Sequence, residues 1–244
     1  MSFLNITDLL SHFPTLTNKK EVLDKIHNLL KAASGGYYLA LNPEKLFSAS
    51  RDSKISTILG QSKFLFVDGV GIQWAYKKLL NRKFEIITGV DLMIDVLSSL
   101  QNTDYQVGLF GSTEDVVHAA HENLKKKFPS IHISFAISGF EKGRSQIQQA
   151  LTTHQPHLVF VALGSPEQEK WIYSYYEKFP SILFTGVGGS LDVIAGKVSR
   201  APQLVRQLRL EWLYRFLTQP IKRWKRMLTL WHFVLLILKS PRSD

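Results

Sequence analysis

Residues 158–172 read LVFVALGSPEQEKWI. The apolar run Leu158–Leu163 is short, uncharged and rich in β-branched and aromatic residues, which predicts a strand buried on both faces. Gly164-Ser165-Pro166 punctuates it, and apolar positions then return at helical spacing from Pro166 to Phe179. Strand, glycine turn and helix make the repeating half of a βαβ unit. The alternation extends outward in both directions. Runs at Tyr37–Leu41, Phe64–Val67, Gln106–Phe110, His132–Ala136 and Ile182–Val187 predict five further strands. Helical patterns over Thr17–Ala33, Pro43–Leu59, Val70–Leu80, Asp91–Leu100, Thr113–Phe128 and Arg144–Thr153 fill the intervals. Together they predict an α/β fold, a mostly parallel Rossmann-like sheet flanked by helices.

After Arg200 the strands stop. Two helices are predicted, roughly Gln203–Leu217 and Ile221–Lys239, parted near Pro220. The expected division is an α/β body at 1–200 and a helical appendage at 201–244. Charge follows the same line. The 244 residues carry a net charge of +10, and Arg200–Asp244 hold ten Lys or Arg against two acids, which is +8 of it. An apolar fraction of 45% and a charged fraction of 20% suit a packed core rather than a disordered chain. The absence of cysteine excludes disulfides and thiolate metal sites. The start, MSFLNITDLLSHF, lacks a basic segment followed by a long apolar one, so a cytoplasmic protein is expected. The longest uncharged apolar run, Met227–Leu238, falls well short of the roughly 20 residues that span a bilayer.

Leu210, Leu213, Tyr214 and Leu217 form one apolar stripe of the appendage, and Ile221, Trp224, Leu228, Trp231 and Leu235 a second. Both stripes can pack on the body. Lys222, Arg223, Lys225 and Arg226 flank Trp224, however, which suits an interfacial helix on anionic lipid. Nucleic acid is the rival anionic surface. The apolar run Trp231–Leu238 favours the membrane and argues against nucleic acid.

In parallel sheets ligands bind where strands end and helices begin. Five clusters fall there and are expected to line one crevice: Asn42-Pro43, Asp68-Gly69, Gly111-Ser112, Gly164-Ser165-Pro166 and Gly186 to Gly189. Asn42 reads either as a helix cap before Pro43 or as a ligand contact. Asp68 reads as a turn residue or as a general base facing the crevice. Ser112–Asp115 and Ser165–Gln168 have capping-box spacing. The glycines serve turns or let phosphates approach the backbone. Neither a GxGxxG after the first strand nor a GxxxxGK[ST] occurs. His118 and His121, one helical turn apart, have no third ligand in view, and Glu167 and Glu169 stand at a helix start whose dipole favours them anyway. No metal site is predicted.

The motifs LNPEK, VDGVGI, ITGVDL, GLFGS, ISGFEKG, ALGSPEQEKWI, GVGGSLDVIAGKVSRAP and LEWLYRFLTQP, in this order, resemble the WecG/TagA/CpsF family of bacterial glycosyltransferases. The resemblance covers roughly residues 37–226. It is closest to the branch that transfers N-acetylmannosaminuronic acid from UDP, with the N-acetylmannosamine-transferring teichoic-acid branch as the near alternative. It implies an inverting, UDP-sugar-dependent hexosyltransferase without cofactor or required metal. The implied acceptor is N-acetylglucosamine linked to undecaprenyl diphosphate, used in cell-surface polysaccharide synthesis. The implied location is peripheral, on the cytoplasmic face of the plasma membrane, and a homo-oligomer is compatible with it.

Residue by residue, the resemblance implies Asp68 as catalytic base and Asn42 beside it. Gly111, Gly164, Gln168, Glu169, Gly188, Gly189 and Asp192 would face the donor. Arg200, Arg215, Arg223 and Arg226 would face the acceptor diphosphate and the membrane. Three positions depart from the family pattern: Ala40 replaces a threonine, Ile86 an arginine and Glu167 a basic residue. They lead to two expectations, that the missing charge comes from the appendage or that the chain is a catalytically weak nucleotide-sugar-binding or regulatory relative.

Overall fold

The computed structural model describes residues 4–218 and 220–242; side chains at 141–144, 215, 221–223 and 225–226 lie outside that description. Six strands, β1 (Gly36–Leu41), β2 (Phe64–Val67), β3 (Gln106–Gly111), β4 (His132–Ile137), β5 (Leu158–Ala162) and β6 (Leu183–Gly186), form one all-parallel sheet in the order β2-β1-β6-β5-β3-β4. Every residue of β1, β2, β5 and β6 is buried, as the continuous apolar runs require of strands covered on both faces.

One face of the sheet is covered by α1 (Ile6–His12), α3 (Pro43–Arg51), α4 (Ser53–Gly60), α5 (Val70–Leu80), α8 (Glu141–His154) and α9 (Glu167–Tyr175). The other carries α2 (Lys19–Lys31), α6 (Gly89–Ser99), α7 (Glu114–Lys127) and the short α10 (Ser190–Ile194). Three helices follow: α11 (Gln203–Gln207), α12 (Glu211–Thr218) and α13 (Pro220–Lys239).

The structure departs from the predicted elements in four places. The single helix expected over Pro43–Leu59 is two, because Asp52 ends α3 and caps α4 by accepting from Lys54 N at 2.9 Å. Neither predicted capping box forms. Ser112 is left-handed (φ 57°) and Thr113 precedes α7 without a side-chain cap, while Pro166 precedes α9. The helix expected over Gln203–Leu217 breaks at Arg209, which is left-handed (φ 59°).

The fourth departure concerns α13, which is apolar on two opposite sides. Phe233 and Ile237 are fully buried in the core beside α3 and α5. Trp224, Leu228, Trp231, Leu235 and Leu238, spaced by three and four residues, face solvent on the other side. The second predicted stripe, from Trp224 onward, therefore points away from the body, and the side chain of Ile221 lies outside the described residues. Apart from Leu4, Trp74 and Phe140, every strongly exposed large apolar residue described lies between Leu204 and Leu238. Among the described residues, no helix is long and apolar enough to cross a membrane.

Candidate active site

A cavity of about 570 Å³ opens over the carboxyl ends of β2, β1, β6 and β5, four strands adjacent in the sheet. Its floor carries Asn42, Asp68, Gly164, Gln168, Gly188 and Gly189. Arg206, Gln207, Arg209, Glu211 and Trp212, from α11, α12 and the turn between them, form the rim. This is where a parallel sheet presents helix N-termini and strand-end loops to a ligand.

Asn42 follows β1 and caps α3, with Oδ1 accepting from Lys45 N at 2.9 Å and Pro43 in the first turn. Its partly exposed side chain also borders the cavity. The cap reading of Asn42 is thus seen directly, at a cavity-lining position. Asp68 follows β2 at the next strand end, and its backbone N–H donates to Leu41 O at 2.9 Å, tying the two strand ends together. Its half-buried side chain borders the cavity.

Beneath the floor lies a buried ion pair. Lys45 Nζ stands 2.8 Å from Glu169 Oε1 and donates to Ala40 O at 2.9 Å, with Lys45 4% and Glu169 1% exposed. Gln168 extends the network. Its Nε2 donates to Glu169 Oε1 at 2.8 Å, and its Oε1 accepts from Gly188 N at 3.0 Å. Burial alone would push the Glu169 carboxyl up; the Lys45 ammonium, with the Gln168 amide, reverses this and holds it below the usual carboxylate range. Lys45, Gln168 and Glu169 thus join β1, α9 and the loop after β6. Gly186 makes room for the bridge, since a Cβ there would come within 2.7 Å of Gln168 Nε2.

A second clip holds the rim. Arg200 pairs with Asp91, whose other oxygen accepts from Thr88 Oγ1 at 2.6 Å. Burial works to raise the Asp91 carboxyl, but Arg200 and Thr88 outweigh it and hold the group below its ordinary range. Further along, Arg209 Nη1 donates to Gln73 Oε1 at 2.9 Å, and Gln73 Nε2 to Phe84 O at 2.6 Å. The segment after Arg200 is therefore tied to both α6 and α5.

Comparison with known proteins assigns the chain to a family. The glycosyl transferase WecG/TagA/CpsF family matches residues 8–244. The chain belongs to that family. Its relatives include the N-acetylglucosaminyldiphosphoundecaprenol N-acetyl-beta-D-mannosaminyltransferase of Bacillus subtilis strain 168, 34% identical over 209 residues (86% of this chain, 81% of the relative). The same-named protein of Bacillus spizizenii is 34% identical over 210 residues, with the same shares covered. That of Staphylococcus aureus strain NCTC 8325 is 31% identical over 191 residues (78% and 74%). As a WecG/TagA/CpsF protein, the chain is a glycosyltransferase.

Four of the five strand-end clusters of this WecG/TagA/CpsF chain meet at the cavity, and the fifth does not. Gly111 lies outside it. It ends β3 at φ 125°, with the Ala162 backbone so close that a Cβ would come within 2.5 Å, so its glycine serves strand packing. Glu169 is likewise withdrawn beneath the floor, paired to Lys45. Asp192, in α10, sits behind Gly189, and its carbonyl accepts from Lys197 N at 3.0 Å and Val198 N at 3.2 Å. Arg200 does not line the cavity but pairs with Asp91, which does. The side chains of Arg215, Arg223 and Arg226 lie outside the described residues.

Of the three departures, Ala40 and Ile86 line the cavity with apolar groups. Glu167 does not line it: 63% exposed, it pairs outward with Lys170 at 3.4 Å, so the acid at this position takes nothing from the site. Glu167 and Glu169 therefore diverge, and His118 and His121 pair with their neighbours Glu114 and Glu122. Sequence reasoning missed Lys45, Asp91, Arg206 and Arg209. Lys45 and Asp91 stood inside quoted motifs, but only the fold reveals their partners.

Proposed function

We propose that the chain transfers an N-acetylmannosamine-type sugar from UDP to N-acetylglucosamine linked to undecaprenyl diphosphate. The supporting observation is the pairing of Asp68 and Asn42 at adjacent strand ends, facing glycine-rich loops across one cavity. Asp68 accepts the proton of an acceptor hydroxyl while that oxygen attacks C1 of the donor sugar. The bond from C1 to the diphosphate breaks, UDP leaves with the electron pair, and the anomeric configuration inverts. The Asn42 amide orients the reacting sugar. Arg206 and Arg209 on the rim, with backbone N–H groups at the loops, stabilise charge on the departing diphosphate.

The neutral N-acetylmannosamine is the favoured donor. The named relatives are mannosaminyltransferases. The cavity is bordered by Glu44, Asp68, Glu85, Asp91 and Glu211 against Lys45, Arg206 and Arg209. Lys45 is already committed to Glu169, so the floor is poorly suited to a second carboxylate on a uronic acid. The reaction is placed at the cytoplasmic membrane face, with the exposed stripe of α13 in the lipid interface and residues 201–244 as the membrane-associating unit.

Incubating the protein with UDP-N-acetylmannosamine or its uronic acid, and a short-chain lipid-diphosphate N-acetylglucosamine, tests this by product mass. The neutral sugar should be transferred preferentially. Preferential transfer of the uronic acid would refute the donor assignment, and UDP binding without any product would favour the catalytically weak relative.

A further inference from the structure

A second, shallower depression of about 710 Å³ lies away from the catalytic cavity, where α5 ends and the chain returns after α13. It is lined by Trp74, Lys77, Lys78, Asn81, Leu238 and Arg242, without an acidic residue. Asn81 closes α5 in a left-handed conformation (φ 50°), and Lys77 Nζ donates to its Oδ1 at 2.6 Å. Pro241 is held in place. Thr7 Oγ1, on a residue 5% exposed, donates to Pro241 O at 2.6 Å, which sets Arg242 beside α5.

Cations in the last turn of a helix complement its dipole, and that accounts for Lys77 and Lys78. It does not account for Arg242, brought from the far end of the chain. Nor does it explain why Trp74 and Leu238 stand exposed beside three positive charges. Leu238 is also the last member of the exposed stripe that begins at Trp224. A rise of 1.5 Å per residue separates those two by about 21 Å along α13. The sequence KRWKR at 222–226 opens the stripe, and the depression closes it.

We propose that this depression binds the headgroups of an anionic lipid bilayer and so pins the second end of α13, which then lies flat in the interface. Cations at both ends of an apolar stripe match a surface that offers anions over about 20 Å and also accepts Trp and Leu side chains between them. A free phosphate would meet the cations but leave Trp74 and Leu238 in water. The site rests on the reading of the chain as a peripheral membrane enzyme, and it adds a contact made by the α/β body itself.

The test is co-sedimentation of the full chain with phosphatidylcholine vesicles, with and without phosphatidylglycerol. Two triple variants are compared with the wild type. Lys77→Gln/Lys78→Gln/Arg242→Gln removes the site's charges. Lys125→Gln/Lys126→Gln/Lys127→Gln removes three exposed charges from α7, on the opposite face of the sheet. At about fivefold per cation, the first variant should bind phosphatidylglycerol vesicles on the order of 100-fold more weakly, and the second should change little. Equal losses, no loss in the first variant, or wild-type binding indifferent to phosphatidylglycerol would each overturn the site. Wild-type protein that fails to bind vesicles would remove the membrane reading with it. Vesicle binding needs no turnover, so failure of the proposed transfer leaves this test readable.

Discussion

Replacing Lys45 by methionine keeps the volume of the side chain but strands Glu169 beneath the cavity floor. The carboxylate, 1% exposed, would retain the Gln168 amide and lose its only charged partner described, the ammonium at 2.8 Å. Breaking a buried pair from one side costs about 3–5 kcal/mol. For a chain of this size each kcal/mol shifts Tm by about 2–4 °C, so the variant should melt on the order of 6–20 °C lower near neutral pH. The pH dependence carries a sign. In the wild type the folded-state value of Glu169 is held below its ordinary 4.5, so its contribution is present above that pH and is lost as pH falls through the lowered value. In the variant, burial is opposed by the Gln168 amide without the ammonium and raises the group, so the penalty is greatest at neutral pH and eases on acidification. The gap between the two melting curves should therefore narrow as pH falls from the variant's raised value, above 4.5, towards the wild type's lowered one. Lys45→Met/Glu169→Gln, which removes both charges and keeps an acceptor for Gln168, should recover most of the loss. Calorimetry at pH 7.5 and pH 4 measures both effects. A shift under about 2 °C at neutral pH, or a double variant as unstable as the single one, would refute the pairing.

Arg206→Gln and Arg209→Gln should each weaken UDP-sugar transfer by about 10- to 100-fold through lost charge-assisted contacts, measured as kcat/KM. A change below twofold in both would remove the rim from the site. Glu167→Lys, which restores the family's basic residue, should leave kcat/KM within about twofold, because position 167 faces away from the cavity; a large gain would show that it reaches the substrate. Trp231→Ser, at a residue 65% exposed, should lower vesicle affinity without changing Tm, because its ring is not part of the core. Truncation after Ala201 is a poorer test of the same surface, since it also strips Phe233 and Ile237 from the core.

The strands were readable because burial on both faces leaves an unbroken apolar run, as in FLFV and LVFVA, whatever the rest of the chain does. Asn42 and Asp68 were readable for a related reason. A polar residue directly after such a run stands at the end of the sheet that binds ligands. Gly111 satisfied the same rule and stayed out of the cavity, because a glycine also answers to a neighbouring strand, here the Ala162 backbone. The break at Arg209 carries no glycine or proline, so a continuous helix was the natural reading, and the turn that directs Arg206 and Arg209 to the cavity stayed hidden. The Lys45–Glu169 pair joins α3 to α9 across more than a hundred residues of sequence, and no local pattern marks such a contact. For α13 the sequence displays apolar residues on all sides of Trp231–Leu238, but only docking decides that Phe233 and Ile237 turn inward and Trp231 outward.

The central claim is that Asp68 takes the acceptor proton during transfer of N-acetylmannosamine to the lipid-linked N-acetylglucosamine. The most direct measurement compares wild type and Asp68→Asn in single-turnover transfer to the short-chain acceptor, with UDP binding and Tm recorded alongside. The account predicts product from the wild type and a loss of about 10²–10⁴-fold in the variant, with UDP binding and Tm preserved. Near-normal turnover by Asp68→Asn would contradict it.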